Sequence, residues 1–205
     1  MNLGEIRSLV KKRFDNKLDS KYSDSFLNSL INEALKEFCA ETLILDTKDD
    51  SLTYNSSKGG FTLPSDFIKV KYLEWEFSSG YTRKIEAMGI EEVKRRRNVW
   101  ATDSENTDTD SVSPSGYTIV DNVIILDSLT ETSPTLYYFK YDTSLSSDSD
   151  SPTIESRFHK YLADYVCFEL EPKNSGYLQR WQYGLQQAIC SKNRTEGYRA
   201  KYVGL

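Results

Sequence analysis

The chain has 205 residues, a formal net charge of −5 and 28% charged side chains. That length suits one domain, or a core carrying a sizeable insertion, and the negative balance argues against a protein that grips nucleic acid over its whole surface. No run approaches the roughly 18 apolar residues of a membrane-crossing helix, and Met1–Arg7 lacks the basic-then-apolar order of a signal peptide.

Leu3, Ile6, Leu9, Val10 and Phe14 recur on one helical face, with Lys11, Lys12, Arg13 and Lys17 toward the end where cations complement the helix dipole. Ser23 suits an N-cap for a second helix, whose apolar stripe is Phe26, Leu27, Leu30, Ile31, Ala34, Leu35 and Phe38. These two helices are expected to form a hairpin. Residues 46–60 are polar, close on Gly59–Gly60 and read as a connection. Phe61 and Leu63 flank Thr62 as in a short half-buried strand, which Pro64 ends because it has no N–H to donate. Ser65–Asp66 suits a turn. From Phe67, the apolar Ile68, Val70, Tyr72, Leu73 and Trp75 alternate with Lys69, Lys71 and Glu74, which predicts a strand to about Phe77. Residues 81–85 are expected to pair back on it, and Ile90 with Val93 predicts a short helix over 89–98.

Residues 101–116 hold Asp103, Glu105, Asp108 and Asp110 among serines and threonines, a composition expected to give a mobile acidic loop. In 117–126 two β-branched runs flank Asp121–Asn122, a pair that tolerates positive φ, and this predicts a two-residue hairpin. Residues 136–141 supply another strand, and residues 142–151 a second mobile acidic connection. Pro152, Ile154, Phe158, Tyr161, Leu162 and Tyr165 open a further helix that Glu171–Pro172 ends. Tyr177, Leu178, Trp181, Leu185, Ala188 and Ile189 form the next, and residues 193–205 lose the periodicity. The predicted class is α+β. Residues 1–45 and 152–192 form a four-helix bundle of two helical hairpins, with a β-rich insertion over 46–151 and an extended docking tail over 193–205. Trp181, Phe158, Leu162, Phe26, Leu30 and Leu35 are expected to share the bundle core.

No reactive constellation stands out. Cys39, Cys167 and Cys190 are far apart in helical patterns and read as reduced core thiols of a protein made in the cytosol. His159 is the single histidine and reads as a partly buried polar residue, within reach of Glu155. There is no zinc spacing, no P-loop and no Gly-x-Gly-x-x-Gly turn, and the acidic runs lack the Gly and closing Glu of an EF-hand. Neither an enzyme nor a cofactor is expected. Two basic segments remain. Lys94, Arg95, Arg96 and Arg97, with Trp100 beyond, suit a solvated helix end, an acidic protein neighbour or a phosphate contact with an aromatic stacker. In the tail, Lys192, Arg194, Arg199 and Lys201 stand against Glu196, with Tyr198, Tyr202 and Leu205 among them. A net +3 end on a −5 protein suits docking on an acidic neighbour.

The order of elements resembles the head-to-tail connector adaptors of tailed bacteriophages, also called head-completion or neck ring proteins. The resemblance covers about residues 1–192. It rests on Phe61–Val70 after the second helix, the 117–126 hairpin, the 136–141 strand before an acidic connection, and the helix opening at Pro152. It implies a structural virion protein made in the host cytoplasm and seated at the capsid vertex. The copies form a ring, commonly dodecameric, under the portal protein. That ring joins the DNA-filled capsid to tail or further neck proteins, and DNA slides through it without specific binding. Another neck or tail-terminator ring shares this architecture. A nucleic-acid-binding accessory protein using 94–100 is the rival from a different class.

Overall fold

The computed structural model describes residues 1–14, 21–77, 80–102 and 113–202, with the backbone alone for 99–102 and 195–202. The chain divides into two compact units, one of residues 1–45 with 140–205 and the other of residues 46–139.

In the first unit, helix α1 (Leu3–Arg13) begins with a reciprocal cap. The Asn2 side chain accepts from the Glu5 amide (2.8 Å), and the Glu5 carboxylate accepts from the Asn2 amide (2.9 Å). Helix α2 (Asp24–Thr42) is capped by Ser23 and stops where Leu43 turns left-handed, at φ 50°. A single 3₁₀ turn, Ser156–Phe158, leads into α4 (His159–Leu170), and α5 (Ser175–Tyr202) follows. Helix α4 is central, in contact with α1, α2 and α5. Its neighbours meet it through aromatic rings: Phe38 lies 5.6 Å from both Phe158 and Trp181, and Trp181 lies 5.0 Å from Tyr165. Gly184 lets α5 approach closely, because a Cβ there would collide with the Tyr161 ring.

A carboxylate sits inside this packing. Asp164 of α4 is buried, and accepts from Arg13 of α1 at 2.9 Å and from Arg180 of α5 at 2.7 Å. His159 is also buried, with Nε2 donating to the Ile154 carbonyl at 2.8 Å. Glu155 pairs with Arg157.

The second unit is built on one eight-stranded sheet. Its strands are β1 (Asp46–Asp49), β2 (Tyr54–Asn55), β3 (Gly60–Thr62), β4 (Phe67–Glu76), β5 (Thr82–Ala87), β6 (Gly116–Val120), β7 (Val123–Leu126) and β8 (Thr135–Lys140). The order is β1-β8-β4-β5-β6-β7-β3-β2, and the sheet is curled and mixed. β5 joins its halves. Residues 82–85 pair antiparallel with β4, whereas Glu86 and Ala87 pair parallel with β6. Helix α3 (Ile90–Thr102) is the crossover that a parallel pair requires. The β6–β7 turn has φ 47° at Asp121 and 64° at Asn122, as the two-residue hairpin needs. The core of the unit includes Phe61, Leu73, Trp75, Ile85, Ile124, Leu126, Leu136 and Tyr138.

Several expectations are corrected here. The architecture is not a four-helix bundle with a β satellite: among the described residues there are five α-helices, and the sheet has a core of its own. The C-terminal segment is not extended, since α5 stays helical to Tyr202. Phe26 is 43% exposed and stacks on Tyr22 instead of entering the core, and Leu30 is only half-buried; the buried face of α2 is Leu27, Ile31, Ala34, Leu35 and Phe38. The polar stretch 46–60 contains two short strands, legible only once their partners β8 and β3 are known. Of the three thiols, Cys39 and Cys167 are buried and Cys190 is exposed. Burial pushes the Cys39 thiol up to about 12 and that of Cys167 up to about 11, which keeps both uncharged.

The expected mobile loop at 142–151 is tied down. The Leu3 amide donates to the Asp150 carbonyl and that of Gly4 to the Asp148 carbonyl. Arg7 forks onto the Asp148 carboxylate at 2.9 and 2.7 Å. Asn32 both donates to and accepts from the Leu145 backbone. The serines and aspartates that look like a solvated linker satisfy backbone donors at turns. Most of the other acidic loop, residues 103–112, lies outside the described residues.

Candidate functional site

The two basic segments have opposite fates. In α3, Glu91 and Glu92 open the helix, and each following cation finds a partner. Lys94 meets Glu91 at 3.2 Å. Arg95 forks onto Glu92 through Nε (2.9 Å) and Nη2 (2.8 Å). Arg96 donates to Glu92 (2.8 Å), to the Ser115 hydroxyl (2.7 Å) and to the buried Asp127 carboxylate (3.1 Å). Arg97 turns inward and donates to the Leu126 carbonyl at 2.6 Å and the Gly59 carbonyl at 2.8 Å. Burial lowers the Arg97 pKa, and Glu92 raises those of Arg95 and Arg96. The run therefore fastens α3 over β3, β6 and β7. For Trp100 the structure describes the backbone only.

The hydrogen bonds from Arg95 and Arg96 lower the Glu92 pKa to about 2, from an ordinary 4.5. The folded value is depressed, so this contribution is fully present above pH 4.5 and is lost as pH falls toward 2. An NMR titration of side-chain carboxyl carbons should place Glu92 near 2. A midpoint above 4 would show that the clamp does not form.

The second basic segment is carried on α5. With 28 residues at 1.5 Å each, this helix is about 42 Å long. Among the described side chains of α5 the last buried one is Ala188, and of residues 189–194 none is buried. Lys192 is half-buried and Arg194 exposed. Tyr198, Arg199, Lys201 and Tyr202 are on the helical backbone, and Leu205 lies outside the described residues. Residues 194, 198, 201 and 202 fall at i, i+4, i+7 and i+8 of one helix. Periodicity of apolar residues could not reveal this, since the segment has almost none; the helix formers Arg194, Glu196, Arg199, Ala200 and Lys201 were the available signal.

Among the described residues, no group of three His, Cys, Asp or Glu side chains is placed to hold a metal ion. No helix among them is long and apolar enough to cross a membrane. The family model described as SU10 adaptor protein matches residues 1–202.

The chain belongs to the SU10 adaptor protein family.

The match runs through both units and along α5 to the last described residue. Membership makes this a structural adaptor of bacteriophage type, in a family that is not one of enzymes. A search of curated proteins finds no match. Sequence reasoning missed Asp127 and Ser115, the acceptors that hold α3: they lie 31 and 19 residues from Arg96, and only the β6–β7 hairpin brings them back.

Proposed function

We propose that this SU10 adaptor assembles as a ring, commonly a dodecamer, beneath the portal protein. The ring lengthens the DNA channel and presents a platform for tail or further neck proteins. The observation that carries this reading is the adaptor match over residues 1–202, which leaves out neither unit. Three features support it. The net charge of −5 suits a channel wall past which phosphates slide. The cations of α3 are engaged within the chain, which disfavours the nucleic-acid-binding alternative. The basic, tyrosine-bearing C-terminal segment, with Lys192, Arg194, Tyr198, Arg199, Lys201, Tyr202 and Leu205, suits docking into an acidic acceptor on the portal or on a neighbouring copy.

Deleting residues 194–205 tests the anchor. Ala188 is the last buried residue among the described side chains of α5, and the truncated chain is expected to unfold at the same denaturant midpoint. It should nonetheless lose at least tenfold in occupancy on DNA-filled, portal-bearing heads after sedimentation. Wild-type occupancy by the truncated chain would remove the α5 end as the anchor. Equal binding of the full chain to heads without a portal would contradict the portal reading itself.

A further inference from the structure

The sheet has an opening where its halves diverge. β5 leaves β4 after Ile85 and ends at Ala87 against β6, so beyond that point the first residues of β4 and the last of β6 stand apart. The space between them is a groove of about 460 Å³, walled by Phe67, Ile68 and Val70 of β4 and by Tyr117 and Ile119 of β6, with Met88 also in its lining. Its apolar rim is open to water: Ile119 is 38% exposed and its neighbour Val120 36%. Beyond Tyr117 this edge of β6 also pairs with no strand among the described residues. Gly116 accepts from Asp127 toward β7, and Tyr117 accepts from Met88 toward β5. By the alternation of a strand, Ile119 then turns its amide and carbonyl toward the groove, where β5 has already ended. An apolar slot beside an unused strand edge is suited to an extended segment that adds as a strand.

The charges select the segment. Lys69 lines the groove, is exposed and meets no carboxylate among the described residues. In the connection from β7 to β8, Leu129 is 54% exposed and Glu131 is exposed, with no cation on Glu131 among the described residues. Residues two apart in an extended segment project to one face. One apolar side chain and one carboxylate at that spacing match one apolar slot with one ammonium at its rim. Resting on the ring reading above, we propose that residues 129–131 of one copy insert into the β4–β6 groove of the next, with Leu129 in the slot and Glu131 on Lys69. The two surfaces are different parts of the same chain, so the contact is head-to-tail and propagates around a ring.

Cross-linking on assembled particles tests this. Ile119→Cys and Leu129→Cys, combined in a Cys190→Ser chain and oxidised on portal-bearing heads, should give a ladder of covalent multimers on non-reducing gels; either cysteine alone should give none. Rings visible by negative stain without a ladder would overturn this contact and leave the ring reading standing. Absence of rings for the wild-type chain would overturn both. Should the double-cysteine chain fail to fold, charge reversal at exposed positions decides instead. Lys69→Glu should reduce head occupancy at least tenfold, and adding Glu131→Lys should restore it. Unchanged loading by Lys69→Glu, or no restoration by the second change, would overturn the pairing.

Discussion

Replacing Asp164 with Ala is expected to destabilise the helical unit by about 3 kcal/mol, the low end of the range for removing one partner from a buried ion pair. The carboxylate is 1% exposed and takes guanidinium hydrogen bonds from two other helices. Its loss strands the Arg13 side chain, which is 20% exposed, without a counter-charge. Arg180 is 53% exposed and recovers hydration, which holds the figure at the low end. Arg180→Ala alone should accordingly cost roughly 1 kcal/mol or less. Urea denaturation followed by circular dichroism checks both. A loss under 1 kcal/mol for Asp164→Ala would show that α1, α4 and α5 are not joined through this residue.

Phe38→Ala is expected to cost about 3–5 kcal/mol, through lost burial and the cavity left behind. The ring is fully buried and touches Phe158 and Trp181, so three helical segments lose packing at once. Trp181→Ala should fall in the same range. Because their rings lie 5.6 Å apart, the double variant should be less destabilised than the sum, by roughly 0.5–1.5 kcal/mol. Leu30→Ala, at a half-buried position of α2, should cost clearly less than Phe38→Ala. Equal losses at 30 and 38 would mean that α2 is rotated from the face described.

These sites mark where sequence was informative. Phe38, Phe158 and Trp181 were readable as core because amphipathic spacing is a local property of a helix. The 117–126 hairpin was readable because Asp121–Asn122 must adopt positive φ, again a local requirement. Asp164 was not: a carboxylate in a helical stripe looks solvated until Arg13 and Arg180, 151 and 16 residues away, are seen to meet it. For the same reason the Lys94–Arg97 run looked available for a partner, whereas Glu92, Asp127 and two backbone carbonyls occupy it. β1 was hidden because its four residues, Asp46–Asp49, form a polar strand at the end of the sheet order, with pairing set by β8. The wide apolar stripe of α2 suggested a core including Phe26, but a packed helix buries one face and leaves the flanks half wet.

Composition adds an expectation about assembly. Apart from the neighbours Ile119 and Val120, the exposed large apolar residues Phe26, Tyr81, Leu129, Tyr183 and Ile189 are scattered along the sequence, and the β4–β6 groove is small. Stable protein interfaces remove about 1,600 Å² from water in total. A contact built on a slot of this size is weak alone and gains from being one of several on a shared template. The isolated chain is therefore expected to be mainly monomeric at micromolar concentration, with the portal organising the copies.

Negative-stain imaging of the purified chain, with and without purified portal, tests the ring directly. Separate particles of the monomer are expected for the chain alone, and a closed ring of adaptor density stacked on one face of the portal when the two are mixed. Portal particles that stay bare at saturating adaptor, with the chain still monomeric, would contradict the ring reading.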